Sequence, residues 1–176
     1  MRDTEPPSQP DIDKWWNSML RPLPEYEVVI KALKPVLYNL PGKVVAIDGL
    51  NGTGKTTLAR YLCYRFNCSL IETDLFMSVP VDEYRYDEMR VIVKRRVKGF
   101  NPRPILIEGV AILRTLQIMG FQPDFHIWWR NVDPDDLGVD RDDELGKKLE
   151  KYQSEFDPVG SADLVVDAVL KLALET

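Results

Sequence analysis

Cysteine and histidine are almost absent from this chain. Cys63 and Cys68 are its two cysteines in 176 residues, and His126 is its single histidine. Neither a disulfide framework nor a zinc-ligand spacing can be assembled from so few, so both thiols are expected to be ordinary and reduced. Positive charge is also scarce: 23 lysines and arginines stand against 28 acidic residues, a net charge of -5. That balance argues against a broad nucleic-acid surface, and any anionic ligand must be held locally. No apolar run reaches the roughly 18 residues of a membrane-spanning helix. The first residues are acidic and proline-rich instead of charged and then apolar. The expectation is a cytoplasmic protein without membrane association.

What is present suits one compact domain, with 44% of the residues hydrophobic. Residues 1–41 read as an N-terminal tail and helical extension. Prolines loosen the chain to about Pro10, a short helix is stopped by Pro22 and Pro24, and a second helix carries Val28, Val29, Ala32, Leu33, Val36 and Leu37. After Gly42 the pattern alternates. Strands are expected at Lys43 to Ile47, Ser69 to Glu72, Pro104 to Glu108, Asp124 to Trp129 and Asp163 to Val166, with helical segments between them. Such alternation specifies an α/β fold with a mainly parallel, five-stranded sheet covered on both faces, occupying residues 42–176, with a lid around 133–156.

The first strand runs into D-G-L-N-G-T-G-K-T-T. Gly49, Gly54, Lys55 and Thr56 fit G-x-x-x-x-G-K-[ST], the phosphate-cradling P-loop, between the strand and helix that this motif requires. Amides of Gly49, Leu50, Asn51, Gly52, Thr53 and Gly54 would wrap phosphate oxygens at a helix N-terminus. Lys55 would reach the β- and γ-phosphates, Thr56 would bind Mg²⁺, and Thr57 would lie on the α-phosphate side. Glu108 ends the aliphatic strand P-I-L-I-E and stands where a P-loop protein carries the carboxylate that organises Mg²⁺ or its water. Asp74 in I-E-T-D-L-F lies just past the strand after the P-loop helix. In a parallel sheet, Asp48, Asp74 and Glu108 all fall at the carboxyl ends of strands, near one crevice. Asp74 is the candidate base for an attacking hydroxyl.

The series V-V-A-I-D-G-L-N-G-T-G-K-T-T, I-E-T-D-L-F, P-I-L-I-E-G-V-A-I-L, F-H-I-W-W-R and S-A-D-L-V-V-D resembles the uridine kinase-like branch of P-loop small-molecule kinases, from roughly Lys43 to Asp167. The resemblance implies a three-layer α/β/α fold, ATP and Mg²⁺ as cofactors, and Asp74 in the position of the family's hydroxyl-activating aspartate. The lid departs from that family. Arg141-Asp142 is followed by D-E-L-G, with Leu145 near the place of a second arginine. A pyrimidine nucleoside acceptor is therefore not carried over.

Charge on a moving phosphoryl group calls for nearby cations. If Asp140 to Phe156 is helical, Leu145, Leu149, Tyr152 and Phe156 share a stripe, with Arg141 and Lys148 on the same side. Arg141 is thus the catalytic lid cation. Between Tyr84 and Phe100, the residues Met89, Ile92, Val93, Val97 and Phe100 define an apolar face bordered by Arg85 and Arg96. Arg85, close in sequence to Asp74, is the acceptor-site candidate. Trp15-Trp16 is read as packing on the domain or on a second subunit of a homodimer, and Trp128-Trp129 and His126 as core. The leading reading is an ATP-dependent phosphotransferase acting on a hydroxyl of a nucleoside or other small metabolite. The alternative is an NTP-binding or hydrolysing module that acts through a protein partner. A GTPase is disfavoured, because the D-x-x-G match at Asp135 follows the wrong strand and no N-K-x-D occurs.

Overall fold

The computed structural model describes residues 22–78, 83–132 and 144–169. In chain order these form α1 (Pro24–Val36), β1 (Val44–Asp48), α2 (Lys55–Phe66), β2 (Ser69–Glu72), a 3₁₀ turn (Thr73–Phe76), β3 (Met77–Ser78), β4 (Glu83–Tyr84), α3 (Tyr86–Lys98), β5 (Ile105–Glu108), α4 (Ile112–Met119), β6 (Phe125–Asn131), α5 (Glu144–Phe156) and β7 (Leu164–Ala168). Trp15, Trp16, Asp135 and Arg141 lie outside the described residues.

Five strands form one sheet in the order β2-β5-β1-β6-β7. Every neighbouring pair is parallel, with Ile47 opposite both Glu108 and Ile127. All of β1 and β5 is buried, which is why both segments read as continuous aliphatic runs without a polar face. The expected strands are all present, each within a residue or two of its expected ends.

Successive side chains on a strand point to opposite faces, so the sheet makes two cores. Val45, Ile47, Leu106, Ile127, Trp129 and Val166 pack with Val29 and Leu33 of α1 and with Leu58 and Leu62 of α2. On the other face Val44, Ala46, Ile105 and Ile107 meet Met89, Val93 and Val97 of α3 and Ile112 and Leu116 of α4. The result is the three-layer α/β/α arrangement, and each fully buried aliphatic side chain in it contributes roughly 1.5–3 kcal/mol.

Two helical faces differ from expectation. Proline at the first turn starts α1 at Pro24. The face it buries is Tyr26, Val29, Ile30 and Leu33, whereas Val28 is 49% exposed. Tyr26 sets this phase, because its ring lies against Tyr61 at 5.3 Å and Trp129 at 5.7 Å. In α3 the buried positions are Met89, Val93 and Val97. Ile92 and Phe100 are exposed, the latter because the helix ends at Lys98. Arg90 on α3 is turned toward α4: its guanidinium donates to the carbonyls of Met119 at 3.1 Å and Ile118 at 2.9 Å, capping the end of that helix. The antiparallel pair β3–β4 was not expected, since two-residue strands leave no alternation to read.

Candidate active site

The phosphate loop turns directly off the central strand, between β5 and β6, where ligands of open parallel sheets are held. Gly49 must be glycine. Its φ is 150°, and a Cβ there would lie 2.1 Å from the carbonyl oxygen of Trp129. Gly54 precedes α2 in the left-handed region, φ 79°, which aims the first amides of the helix into the loop. Trp129 buttresses the turn from β6, its Nε1–H donating to the Thr53 carbonyl at 2.5 Å. Inside the loop, the Thr53 hydroxyl donates to the Leu50 carbonyl at 2.9 Å, and the Lys55 ammonium donates to the same oxygen at 2.5 Å.

Lys55 is only 6% exposed. Burial pulls its pKa below the ordinary lysine value, and the charges of Glu108, Asp48 and Asp74 push it back up. The ammonium thus feels the charge of three carboxylates. The Thr56 hydroxyl donates to Glu108 Oε1 at 3.0 Å. Glu108 is 3% exposed; burial raises its pKa, opposed by the Thr56 hydrogen bond and by Lys55. A hydroxyl and a carboxylate in contact are the hard oxygen donors that Mg²⁺ takes from a protein when phosphates and water complete its shell. Among the described residues no group of three or more His, Cys, Asp or Glu side chains could hold a metal unaided.

A cavity of about 170 Å³ is lined by Asn51 to Thr56, Asp74, Glu108, Gly109 and Val110. A larger one of about 550 Å³ is walled by Met77, Tyr84, Tyr86, Arg114, Thr115 and Lys148, among others. Asn51, Asp74 and Val110 line both. Asp74 stands on the 3₁₀ turn that continues β2, exposed to this space.

Lys55, Thr56, Asp74 and Glu108 are therefore brought together with the loop, and Lys148 reaches the larger chamber. Thr57 is not among the residues lining either space. Arg85 is not brought there either. Its guanidinium pairs with Glu88 at 3.0 Å, donates to the Leu75 carbonyl at 3.2 Å and lies 5.7 Å from the Phe76 ring centre. The cation that sequence reasoning missed is Arg114, on α4 just beyond Glu108. It pairs with Glu155 at 2.7 Å and covers the rings of Tyr152 and Phe156. Its signal was positional: the helix after a strand-ending carboxylate begins at the carboxyl edge of the sheet.

Behind the loop lies a buried polar knot. Asp48 is wholly buried. It accepts from the Gly49 N–H at 2.8 Å and from the Tyr152 hydroxyl. Tyr152 in turn accepts from the Leu113 N–H at 3.3 Å, so α5, α4 and the start of the P-loop meet on one side chain. His126 Nε2 lies 3.9 Å from Asp48 Oδ2, and burial lowers its pKa, leaving the ring neutral at pH 7. Burial pushes the Asp48 carboxyl up to about 6, against the hydrogen bonds from Tyr152 and Gly49 and the charge of Lys55. A folded pKa above the unfolded one favours the folded state fully below the unfolded value, and that contribution is lost as pH rises through about 6. Wild type should lose on the order of 3 kcal/mol from this group between pH 4 and pH 7.5. Asp48→Asn keeps the shape and does not titrate. In urea melts, the difference in unfolding free energy between variant and wild type should shift toward the variant as pH rises. A difference that stays flat with pH removes Asp48 as the titrating group.

A parallel sheet in this order, a glycine-built loop at its central strand and Lys55, Thr56 and Glu108 converging on one small cavity define a P-loop protein of the α/β class. Neither a family model nor a curated protein matches the sequence. Among solved structures, the chain is similar to one described as a possible uridine kinase from Bacillus stearothermophilus, at 18% identity and a TM-score of 0.53, with 81% of this chain and 97% of that chain covered. It also aligns with a sugar kinase from a Janibacter species, at 18% identity and a TM-score of 0.43, over 72% of this chain and 86% of that one. The first likeness shows the fold: a mainly parallel α/β sheet covered by helices on both faces.

Proposed function

We propose that this protein is an ATP-dependent phosphotransferase that moves the γ-phosphate of ATP to a hydroxyl of a nucleoside or other small metabolite. The observation that carries this reading is the position of Asp74, on the wall shared by the phosphate cradle and the larger chamber. A module that only binds or hydrolyses nucleotide has no use for a carboxylate facing a second, acceptor-sized space. Loop amides and the α2 N-terminus bind the phosphates, and the Lys55 ammonium leaves the Leu50 carbonyl for the β- and γ-phosphate oxygens. Asp74 accepts a hydrogen bond from the acceptor hydroxyl, aims it at the γ-phosphorus and takes its proton as the new P–O bond forms and the bond from the γ-phosphorus to the β,γ-bridging oxygen breaks, releasing ADP. Tyr84, Tyr86 and Lys148 would hold the acceptor body. The lid, including Arg141, would supply the remaining cation.

Thr56 and Glu108 would hold Mg²⁺, which when bound neutralises charge on the phosphates. Protein treated with EDTA should therefore lose transfer and recover it on adding Mg²⁺; transfer at full rate without a divalent ion would withdraw both metal roles. The reading itself is tested by screening nucleosides, sugars and vitamin precursors for phosphorylation by ATP. At least one should be phosphorylated stoichiometrically with ATP consumed. ATP hydrolysis with no acceptor product from any class would favour the nucleotide-binding module.

A further inference from the structure

We propose that Cys63 and Cys68 form a reversible dithiol–disulfide modification site whose oxidant is a peroxide. Sequence spacing reads them as two unrelated thiols, but the fold brings them into contact. Cys63 lies in the last turn of α2, and the helix closes on Asn67 in the left-handed region, φ 50°. That reversal lets the Cys68 N–H donate to the Cys63 carbonyl at 3.2 Å. It also lays the two side chains together, with Cys68 Sγ donating to Cys63 Sγ at 3.6 Å. Bonded sulfurs sit about 2.05 Å apart, so closing the bridge needs an approach of roughly 1.5 Å, within the reach of side-chain rotation. Both thiols are free and only half-buried.

The pair is chemically unequal. Once Cys68 ionises, the Cys63 S–H turns to its thiolate, which holds Cys68 below the ordinary thiol value; its own N–H and the Arg96 charge act in the same direction, against burial. Cys63 is held above it, first by that hydrogen bond and then by burial. Cys68 is accordingly the thiolate that meets the oxidant. Its sulfur attacks one peroxide oxygen, the O–O bond breaks, and Cys68 becomes a sulfenic acid while hydroxide (or the alkoxide of an organic peroxide) departs. The Cys63 sulfur then attacks the sulfenic sulfur, an S–S bond forms, and the sulfenic hydroxyl leaves with the Cys63 proton as water. Two thiols are oxidised and one peroxide is reduced. A thiol reductant reverses the bridge by exchange.

The bridge would join two elements that both reach the candidate site. α2 begins at Lys55 and Thr56, and β2 runs into Thr73 and Asp74. An oxidised pair ties the far end of one to the start of the other.

The test uses the full chain and hydrogen peroxide. After brief exposure, the intact mass should fall by about 2 Da, the loss of two hydrogens, and return on treatment with a dithiol. Non-reducing gels should show monomer. Cys63→Ser and Cys68→Ser should each abolish the 2 Da loss, and in wild type exposed in the presence of dimedone the adduct should map to Cys68, the thiol that the intact pair favours as thiolate. Wild type that gains oxygen mass without losing 2 Da, or that cross-links between molecules, overturns the proposal. A wild-type dimedone adduct that maps to Cys63 overturns the assignment of Cys68 as the attacking sulfur. The wild-type mass measurement stands even if a serine variant does not fold.

Discussion

Lys55→Ala should lower phosphate transfer by at least about 10²-fold, the range for removing one preorganised charge or donor from a developing oxyanion, and should weaken ATP binding as well. The argument is electrostatic and local. Lys55 is the cation that the carboxylates of Glu108, Asp48 and Asp74 share, and it is nearly buried. Alanine leaves those three negative groups facing a polyanion. Lys55 also holds down the pKa of both Asp48 and Glu108, so its removal raises both and weakens Glu108 as an ionised oxygen donor. An ATP titration and an acceptor assay on one preparation read the two effects, with a thermal melt to establish that the variant folds. Unchanged affinity and rate in a folded variant would falsify the P-loop assignment.

The phosphate loop was legible because its chemistry is written in consecutive residues: glycines where the backbone must turn or come close, then lysine and threonine opening a helix. The strands were legible because a parallel strand buried on both faces leaves an uninterrupted aliphatic run, as in Val44–Asp48 and Ile105–Glu108. What escaped is what tertiary contact decides. Val28 and Ile30 both suit a helical stripe, and the rings of Tyr61 and Trp129 choose between them. Arg85 is close to Asp74 in sequence, yet Glu88, one helical turn on, takes its guanidinium. Tyr152 reaches Asp48 across 104 positions of sequence. The contact between Cys63 and Cys68 depends on the left-handed turn at Asn67, which no spacing rule marks.

The second large effect is expected at Asp74, whose substitution should separate phosphoryl transfer from nucleotide binding. Asn keeps the size and one hydrogen-bond acceptor but cannot take a proton. Since the Lys55–Leu50 and Thr56–Glu108 hydrogen bonds are both made without Asp74, Asp74→Asn should leave the cradle intact. Transfer to the acceptor should fall by about 10² or more, the lower range for loss of a general base, equivalent to roughly 2.7 kcal/mol of transition-state stabilisation. The decisive measurement is therefore a paired one on Asp74→Asn and wild type: an ATP–Mg²⁺ titration, and initial rates of acceptor phosphorylation at saturating ATP. Near-equal ATP affinities with a rate at least about a hundredfold lower in the variant are the result that general-base transfer predicts. A wild-type rate would make Asp74 a turn-forming residue only, and loss of ATP binding along with rate would place it with the nucleotide; either result contradicts transfer to a hydroxyl activated by Asp74.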